Sequence, residues 1–170
     1  MEGSLRTFLD YARPPKAERR PTEVVGVIRR AFDLLRPRAE RQGVELSLRA
    51  NAAVSVVADE GQLHQLLVNL GLNALDAMPA GGTLAVGVRR AGEVVEIELA
   101  DTGPGIAADI LPRLFQPFAS GKDTGLGLGL VIARRIADDH GGTLTGTNRS
   151  DGGARFVLTL PSDPPGAGSA

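Results

Sequence analysis

The stretch Asp59–Pro79, DEGQLHQLLVNLGLNALDAMP, has the pattern of one helix of about five turns. Leucine and alanine recur in it at three- and four-residue steps, which predicts a core face. Asp59 is a good N-cap because its carboxylate can accept from the free N–H groups of the first turn, and Pro79 ends the run. Val68, Leu72 and Leu75 widen the apolar face, so we expect the helix to lie inside the domain.

One narrow stripe of this helix is polar and consists of Gln62, Gln65, Asn69, Asn73 and Asp76. Steps of three or four residues place these side chains on a single line. Because a buried amide without partners is costly, the stripe needs either solvent or a ligand. One interpretation is that it forms the wet side of the helix. The other is that it forms the floor of a pocket, since Asn and Asp oxygens suit Mg²⁺ that carries water and phosphates.

The composition of the 170 residues is that of a single globular domain, with 42% hydrophobic and 23% charged residues. A net charge of −1 gives no electrostatic reason to bind nucleic acid or a membrane. The absence of cysteine excludes disulfides and thiol chemistry, and two histidines, His64 and His140, make a histidine-rich metal site a poor hypothesis. No apolar run has the length of a membrane span and no signal peptide opens the chain, so we expect a cytoplasmic protein.

Periodicity predicts a helix from Thr22, its cap, to about Gln42, kinked or interrupted at Pro37, and another over residues 126–140. A short helix is predicted over residues 106–114. Strands are predicted over Val44–Arg49, Val54–Ala58, Thr83–Arg90, Val94–Ala100, Thr143–Asn148 and Ala154–Leu160. This order is not a βαβα alternation, so it predicts an α+β fold with a mixed sheet, helices on one face and the other face open.

Four further segments are not predicted to contribute to the hydrophobic core. Residues 4–13 have the pattern of the end of a helix, and residues 16–21 that of a charged linker. Residues 115–125 show no consistent period and are predicted to be a mobile loop. The tail, residues 162–170, is predicted to be disordered.

Two glycine-rich stretches indicate chemistry: DTGPGI at Asp101–Ile106 and GLGLGL at Gly125–Leu130. Glycine lets the backbone approach a ligand and point successive N–H groups at it, and the second stretch leads into a helix, whose N-terminus can bind phosphate. Taken alone, each stretch is also compatible with a simple turn. A P-loop would need glycine at Gln116, and a dinucleotide fingerprint would need it at Leu130 or Ala108, so neither motif fits.

With NLGLNALDAM, DTGPGI, FQPF and TGLGLGL in this order, the chain resembles the catalytic ATP-binding domain of sensor histidine kinases. That domain belongs to a wider family shared with gyrase, the mismatch-repair ATPases and the Hsp90 chaperones. The resemblance runs from about Pro21 to Leu160. It implies a Bergerat-type two-layer α/β sandwich with a mixed, mostly antiparallel sheet. It also implies three parts: the end of a dimerisation and phosphoacceptor helix with its linker (1–20), the ATP-binding domain (21–161) and a tail (162–170).

The resemblance implies that ATP and Mg²⁺ are bound. Asn73 would supply its amide oxygen to Mg²⁺, Asn69 would lie beside the phosphates, and Asp101 would accept a hydrogen bond from the adenine amino group. Further nucleotide contacts are implied at Asp76, Ala77, Gly103, Gly105, Ile106, Gly125, Leu126, Gly127, Leu128 and Gly129.

A lid over the phosphates is implied as well. Lys122 and Thr124 would reach the phosphates from it, and Phe115 and Phe118 would flank it. On this basis the catalytic residues are expected to be Asn69, Asn73 and Lys122.

Two positions separate this chain from parts of the wider family. ATPases of the family carry a Glu four residues before the Mg²⁺-binding Asn, where this chain has Asn69, which cannot act as a base. A neutral imidazole nucleophile needs no base, so the Asn69 and Asn73 pair favours histidine phosphorylation over hydrolysis. Many relatives carry a basic residue where this chain has Asp76, which either reaches the ion through water or only holds the helix.

The expected function is transfer of the ATP γ-phosphoryl group to a histidine on a phosphoacceptor and dimerisation domain of the same kinase. Neither His64 nor His140 has the sequence context of an acceptor, so both are expected to be structural or surface residues. We therefore expect the acceptor outside this chain, a response regulator as an indirect partner, and a monomeric fragment without nucleic-acid or membrane contacts. The alternatives are a nucleotide-binding regulatory module without transfer activity and an ATP-hydrolysing machine.

Overall fold

The computed structural model describes residues 16–50, 53–117, 119 and 128–162. The α-helices in these ranges are α1 (Val24–Gln42), α2 (Glu60–Ala77) and α3 (Gly129–Asp139). The strands are β1 (Arg20–Glu23), β2 (Val44–Ala50), β3 (Ser55–Ala58), β4 (Gly82–Ala91), β5 (Val94–Asp101), β6 (Thr143–Asn148) and β7 (Ala154–Pro161). A 3₁₀ turn spans Leu111–Arg113.

The main sheet contains five strands in the order β2-β4-β5-β7-β6. β2 pairs with β4 in parallel, and the other neighbours pair antiparallel. β1 and β3 form a separate antiparallel ribbon. The α+β fold and the mixed, mostly antiparallel sheet predicted from the sequence are therefore confirmed.

The alternation of side chains along β5 shows which face of the sheet is covered. Val95, Ile97 and Leu99 are buried, whereas Glu96 and Glu98 on the other face are only partly buried. Helix α2 packs against both α1 and α3. The helices therefore lie on one face, as predicted, and the opposite face is polar.

Helix α2 is the centre of this layer. Leu63, Leu66 and Leu70 are buried to within a few per cent, and burying each such side chain contributes about 1.5–3 kcal/mol. Asp59 caps the helix, because its Oδ1 accepts from the N–H of Gln62 at 3.0 Å. The predicted core face and the predicted cap of this helix are both present.

The start of α1 differs from the prediction. Thr22 is not the cap: it lies in β1, where its hydroxyl donates to the carbonyl oxygens of Arg20 and Ala58. Glu23 caps α1 instead, since its carboxylate accepts from the N–H groups of Val25 and Gly26. The strand was hidden in the sequence because, of its four residues, only Thr22 is buried.

Pro37 does not interrupt α1, which continues to Gln42. Proline removes the N–H that would donate to the carbonyl of residue 33, but Asp33 and Pro37 both lie on the exposed face. Water can satisfy that carbonyl, while the opposite, buried face holds the helix against α2.

The short helix predicted over residues 106–114 is only the 3₁₀ turn, which has a proline in its first positions. The predicted hairpins β4–β5 and β6–β7 are present. Helix α3 begins at Gly129, and residues 126 and 127 of its predicted range lie outside the described residues, as do residues 4–13, most of the predicted loop and the tail after residue 162. No helix among the described residues combines the length and the apolar character that crossing a bilayer requires.

Candidate functional site

The start of α3 lies against the polar stripe of α2. The Asn69 side-chain amide donates to the carbonyl oxygen of Gly129 at 3.2 Å, and a Cβ on Gly129 would lie 3.9 Å from that of Asn69. Asn69 and Asn73 are half-buried, and Gln62 at the other end of the stripe is buried. Gln65 of the same stripe is exposed and Asp76 is partly so; the stripe is therefore wet in part and lies against α3 at Asn69.

The N-terminus of α3 has no side-chain cap from the part of the chain that the structure describes, and Leu128 occupies its N-cap position. The first N–H groups of such a helix, together with its dipole, favour an anion. The stripe and this helix end thus border one place suited to a phosphate.

Asp101 ends β5 and is 3% exposed. Its Oδ1 accepts from the backbone N–H of Gly103 at 2.9 Å and from that of Ala154 at 3.2 Å. Within the described residues, all hydrogen bonds to this carboxylate end on Oδ1. The carboxylate is therefore held in one orientation, with Oδ2 as the oxygen available to a ligand donor.

The loop after Asp101 packs under the end of α2. A Cβ on Gly103 would lie 2.9 Å from the carbonyl oxygen of Ala77, so the two backbones are in close contact. Gly105 has a φ of 85°, which favours glycine. Ile106 is anchored at both backbone groups, because Asn148 accepts from its N–H at 2.6 Å and donates to its carbonyl at 2.9 Å.

Three residues that support this loop were missed from the sequence: Asn148, Arg149 and Gly153. Arg149 donates to the carbonyl oxygen of Asp101 at 2.8 Å. A Cβ on Gly153 would lie 1.9 Å from that same oxygen, and Gly153 has a φ of 92°, so only glycine fits. The only signal in the sequence was the polar, glycine-rich turn between β6 and β7, which does not reveal that it meets β5.

Asp76 lies at the junction of α2 with α1. Its carboxylate accepts from the Arg38 guanidinium at 2.6 Å, and Arg38 also donates to Gln42. Gln42 in turn donates to the carbonyl oxygens of Leu75 and Met78 at the end of α2. Of the two roles considered for Asp76, these contacts support the one that holds the helix.

Phe115, expected to flank a lid, is anchored by aromatic contacts. Its ring meets that of Phe156 edge-on at 6.5 Å between centroids, and the Arg134 guanidinium lies 5.0 Å above it. Ala77, Leu128 and Ile106 are also in the described part. The remaining predicted lid and loop residues lie outside it: Phe118, Lys122, Thr124, Gly125, Leu126 and Gly127.

No group of three or more His, Cys, Asp or Glu side chains comes together within residues 16–50, 53–117, 119 and 128–162. Asn73, on the polar stripe, carries an amide oxygen that could bind a divalent cation together with water and phosphate oxygens. That donor set fits Mg²⁺, which keeps several waters and binds through substrate phosphates.

The sequence and the fold of this chain both resemble those of known proteins. The pattern of the family described as "Histidine kinase-, DNA gyrase B-, and HSP90-like ATPase" matches residues 58–164, which include both α2 and the Asp101 loop. The chain belongs to this family. Within the family, its relatives are sensor histidine kinases, as the sequence motifs predicted.

One such relative is the sensor protein FixL of Bradyrhizobium diazoefficiens, 36% identical over 93% of this chain and 32% of FixL. The crystal structure of full-length ShkA in complex with AMPPNP is 31% identical, with a TM-score of 0.77 over 87% of this chain and 32% of ShkA. A structure of ThkA in complex with the response regulator protein TrrA is 25% identical, with a TM-score of 0.77 over 96% of this chain and 48% of ThkA. This histidine-kinase-type domain spans about a third of the length of the curated relatives it matches.

Proposed function

We propose that this chain is the catalytic domain that transfers the γ-phosphoryl group of ATP to a histidine on a separate phosphoacceptor domain. One observation carries the proposal: α2 meets the start of α3 at Asn69 and the Asp101 loop at Ala77. Helix α2 therefore borders both a carboxylate suited to a nucleobase and a helix end suited to phosphates. The complex of ShkA with AMPPNP supports an adenine nucleotide as the ligand.

Asp101 would select adenine. An oriented, buried carboxylate accepts a hydrogen bond from the exocyclic amino group of adenine, whereas guanine presents a carbonyl oxygen at the same place. A carbonyl facing the carboxylate would leave both oxygens without a donor, which is costly in a buried site. Gly103, Gly105 and Ile106 would line the base next to Asp101.

The phosphates would lie between α2 and the start of α3. The N–H groups of α3 and the amide of Asn69 would bind them, and Asn73 would hold Mg²⁺ through its side-chain oxygen. Bound Mg²⁺ supplies positive charge that offsets the charge of the phosphates. Lys122, Thr124 and the loop before Gly129 are proposed to complete this site.

The residues at the site favour transfer over hydrolysis. Asn69 occupies the place of the base that a hydrolytic relative would use, and it contacts the carbonyl oxygen of Gly129. His140 is buried and His64 lies on α2, so the acceptor is proposed to lie outside residues 21–161, the proposed ATP-binding domain. A response regulator would then receive the phosphoryl group from that acceptor, and the ThkA complex with TrrA supports such a partner.

The test is to mix the protein with γ-labelled ATP, Mg²⁺ and a separate phosphoacceptor domain. We expect acid-labile label on the acceptor histidine, none when that histidine is replaced by Gln, and none with Asn73→Ala. Tight nucleotide binding without label would favour a regulatory module. Steady phosphate release without any acceptor would favour an ATP-hydrolysing machine.

A further inference from the structure

The segment formed by residues 16–20, which enters β1 and includes its first residue, contacts the ends of two helices. The backbone N–H of Glu18 donates to Oδ2 of Asp59, the cap of α2, at 2.9 Å. The Arg19 guanidinium donates to the carbonyl oxygen of Asp139 at the C-terminus of α3. These contacts span 41 and 120 residues of sequence, so they are tertiary contacts and not local turns.

Asp59 divides its carboxylate between two partners. Oδ1 accepts from the N–H of Gln62 in the first turn of α2, and Oδ2 accepts from the entering segment. The hydrogen bond from the Glu18 N–H is the main reason that the pKa of Asp59 is lowered from its ordinary value, and the Gln62 N–H lowers it further. The Asp59 carboxylate therefore joins the segment to the first turn of α2.

His140 connects the same residue to α3. Its ring is 4% exposed, its Nε2 accepts from the backbone N–H of Asp59 at 3.0 Å, and its Nδ1 lies 2.8 Å from the carbonyl oxygen of Ile136. A neutral ring with its proton on Nδ1 satisfies both contacts. The N-terminus of α2 and the C-terminus of α3 are thus joined through one buried imidazole.

Helix α3 is held to α2 at both ends. His140 fixes its C-terminus, and Asn69 contacts Gly129 at its N-terminus, where the phosphates are proposed to bind. Because a helix of this length moves as a rigid element, a displacement at one end changes the position of the other. The entering segment therefore has a physical connection to the phosphate side of the site.

We propose that Asp59 and His140 are positioning residues through which residues 16–20 set the placement of α3 and so the affinity for nucleotide. The proposal rests on the proposed function, since it requires a nucleotide at the start of α3. It adds a regulatory input: whatever moves the entering segment changes nucleotide binding without touching the nucleotide.

The test uses Glu18→Pro, which removes the N–H donor, with Glu18→Ala as the matched control that keeps it. Two quantities are measured: the pKa of Asp59 by NMR titration of its carboxyl carbon, and the dissociation constant for ADP with Mg²⁺ by calorimetry. In Glu18→Pro we expect the pKa to rise towards its ordinary value and the dissociation constant to increase about fivefold or more. The Glu18→Ala control should change neither quantity.

A raised pKa with unchanged ADP affinity would overturn the proposal, because Asp59 would then be only a helix cap. An unchanged pKa would overturn it too, by showing that the Glu18 contact does not hold the segment. If Glu18→Pro does not fold, Asp59→Asn replaces it, because its side chain keeps one oxygen for the α2 cap. An unchanged ADP affinity in Asp59→Asn would also overturn the proposal. Failure of the proposed function is distinguishable: without a nucleotide site the unchanged protein would bind no ADP, and without transfer activity it would bind ADP but leave the phosphoacceptor domain unlabelled.

Discussion

The two places where α2 borders the proposed nucleotide site are constructed differently. At the Asp101 side, the chain itself fixes the loop: two N–H groups hold the carboxylate, Arg149 holds the carbonyl and Asn148 clamps Ile106. At the Asn69 side, the described residues supply one amide contact and a helix end without a side-chain cap. The Asp101 side is preorganised, whereas on the Asn69 side the described residues leave a helix end whose N–H groups can meet an anion.

This difference predicts how the free energy of nucleotide binding is divided between the Asp101 side and the Asn69 side. A preorganised carboxylate needs no reordering when the base arrives, so it gives specificity and much of the affinity. The helix end and the Asn pair bind only what carries negative charge, so their contribution depends on Mg²⁺ and on phosphates. Substitutions on the two sides should therefore respond differently to Mg²⁺.

The largest effect is expected from Asp101→Asn, which replaces the acceptor with an amide that can turn a donor towards the base. We expect ADP affinity to fall about tenfold to a hundredfold with and without Mg²⁺, since hydrogen bonds to charged groups contribute about 1.5–3 kcal/mol. Calorimetry measures this, with Asp109→Asn, an exposed carboxylate, as the control. A loss confined to Mg²⁺-containing buffer would remove Asp101 from the base side.

Unlike Asp101→Asn, Asn73→Ala should weaken ADP binding only when Mg²⁺ is present. We expect ADP affinity in Mg²⁺ to fall about tenfold, the size of one charge-assisted contact of ~1.4 kcal/mol, and affinity in EDTA to stay the same. Gln65→Ala, an exposed residue on the same stripe, is the matched control. Equal losses in both buffers would mean that Asn73 does not meet the ion.

Asn148→Ala tests whether the clamp on Ile106 produces the preorganisation. We expect a loss of about 1 kcal/mol in the free energy of unfolding and a fall of about fivefold in ADP affinity, because two hydrogen bonds to the loop disappear. Urea unfolding and calorimetry measure the two quantities, with the neighbouring exposed Thr147→Ala as control. Unchanged ADP affinity would show that the loop is ordered without the clamp.

Acidification should weaken the N-terminus of α2, where Asp59 caps the helix. Because the pKa of Asp59 is lower in the folded than in the unfolded state, its ionised form contributes stability above the unfolded value near 3.8. That contribution is lost as pH falls through the lowered folded value. Urea unfolding of the unchanged protein and Asp59→Asn, compared from about pH 6 to pH 3, should show the difference in free energy of unfolding shrink with acid; a constant difference would refute the assignment.

The smallest effect is expected from Arg38→Gln. Arg38 and Asp76 are each about a third exposed, so losing their ion pair should lower the free energy of unfolding by about 0.5–1 kcal/mol. ADP affinity should not change, because the contacts of Asp76 tie α2 to α1. A changed ADP affinity would indicate that Asp76 contributes to the nucleotide site.

The parts of the fold that could be predicted are those with local signals. The period of α2, its Asp59 cap and the alternation in β4 to β7 are properties of neighbouring residues, and they were predicted with ends within a few residues. β1 could not be predicted, because its pairing with β3 lies 32 or more residues away and three of its residues are exposed. Pro37 was misjudged because its effect depends on which face of α1 meets water.

The residues of the candidate site also divide into those with a local sequence signal and those without one. Asn69, Asn73 and Asp101 stood out because amides on an apolar helix and a carboxylate before glycines are unusual locally. Asn148 and Arg149 did not, because they reach Asp101 and Ile106 only through the pairing of β5 with β7, which joins distant segments. The register between non-consecutive strands carried the missing information.

The most direct test of the central claim, one adenine nucleotide held between the Asp101 loop and the start of α3, is a calorimetric titration with ADP and with GDP, each with and without Mg²⁺. We expect saturable binding of one ADP per chain, tighter with Mg²⁺, and no binding of GDP. No heat with ADP at about millimolar concentration, where binding free energies fall to about −4 kcal/mol, or equal affinity for GDP, would contradict the account.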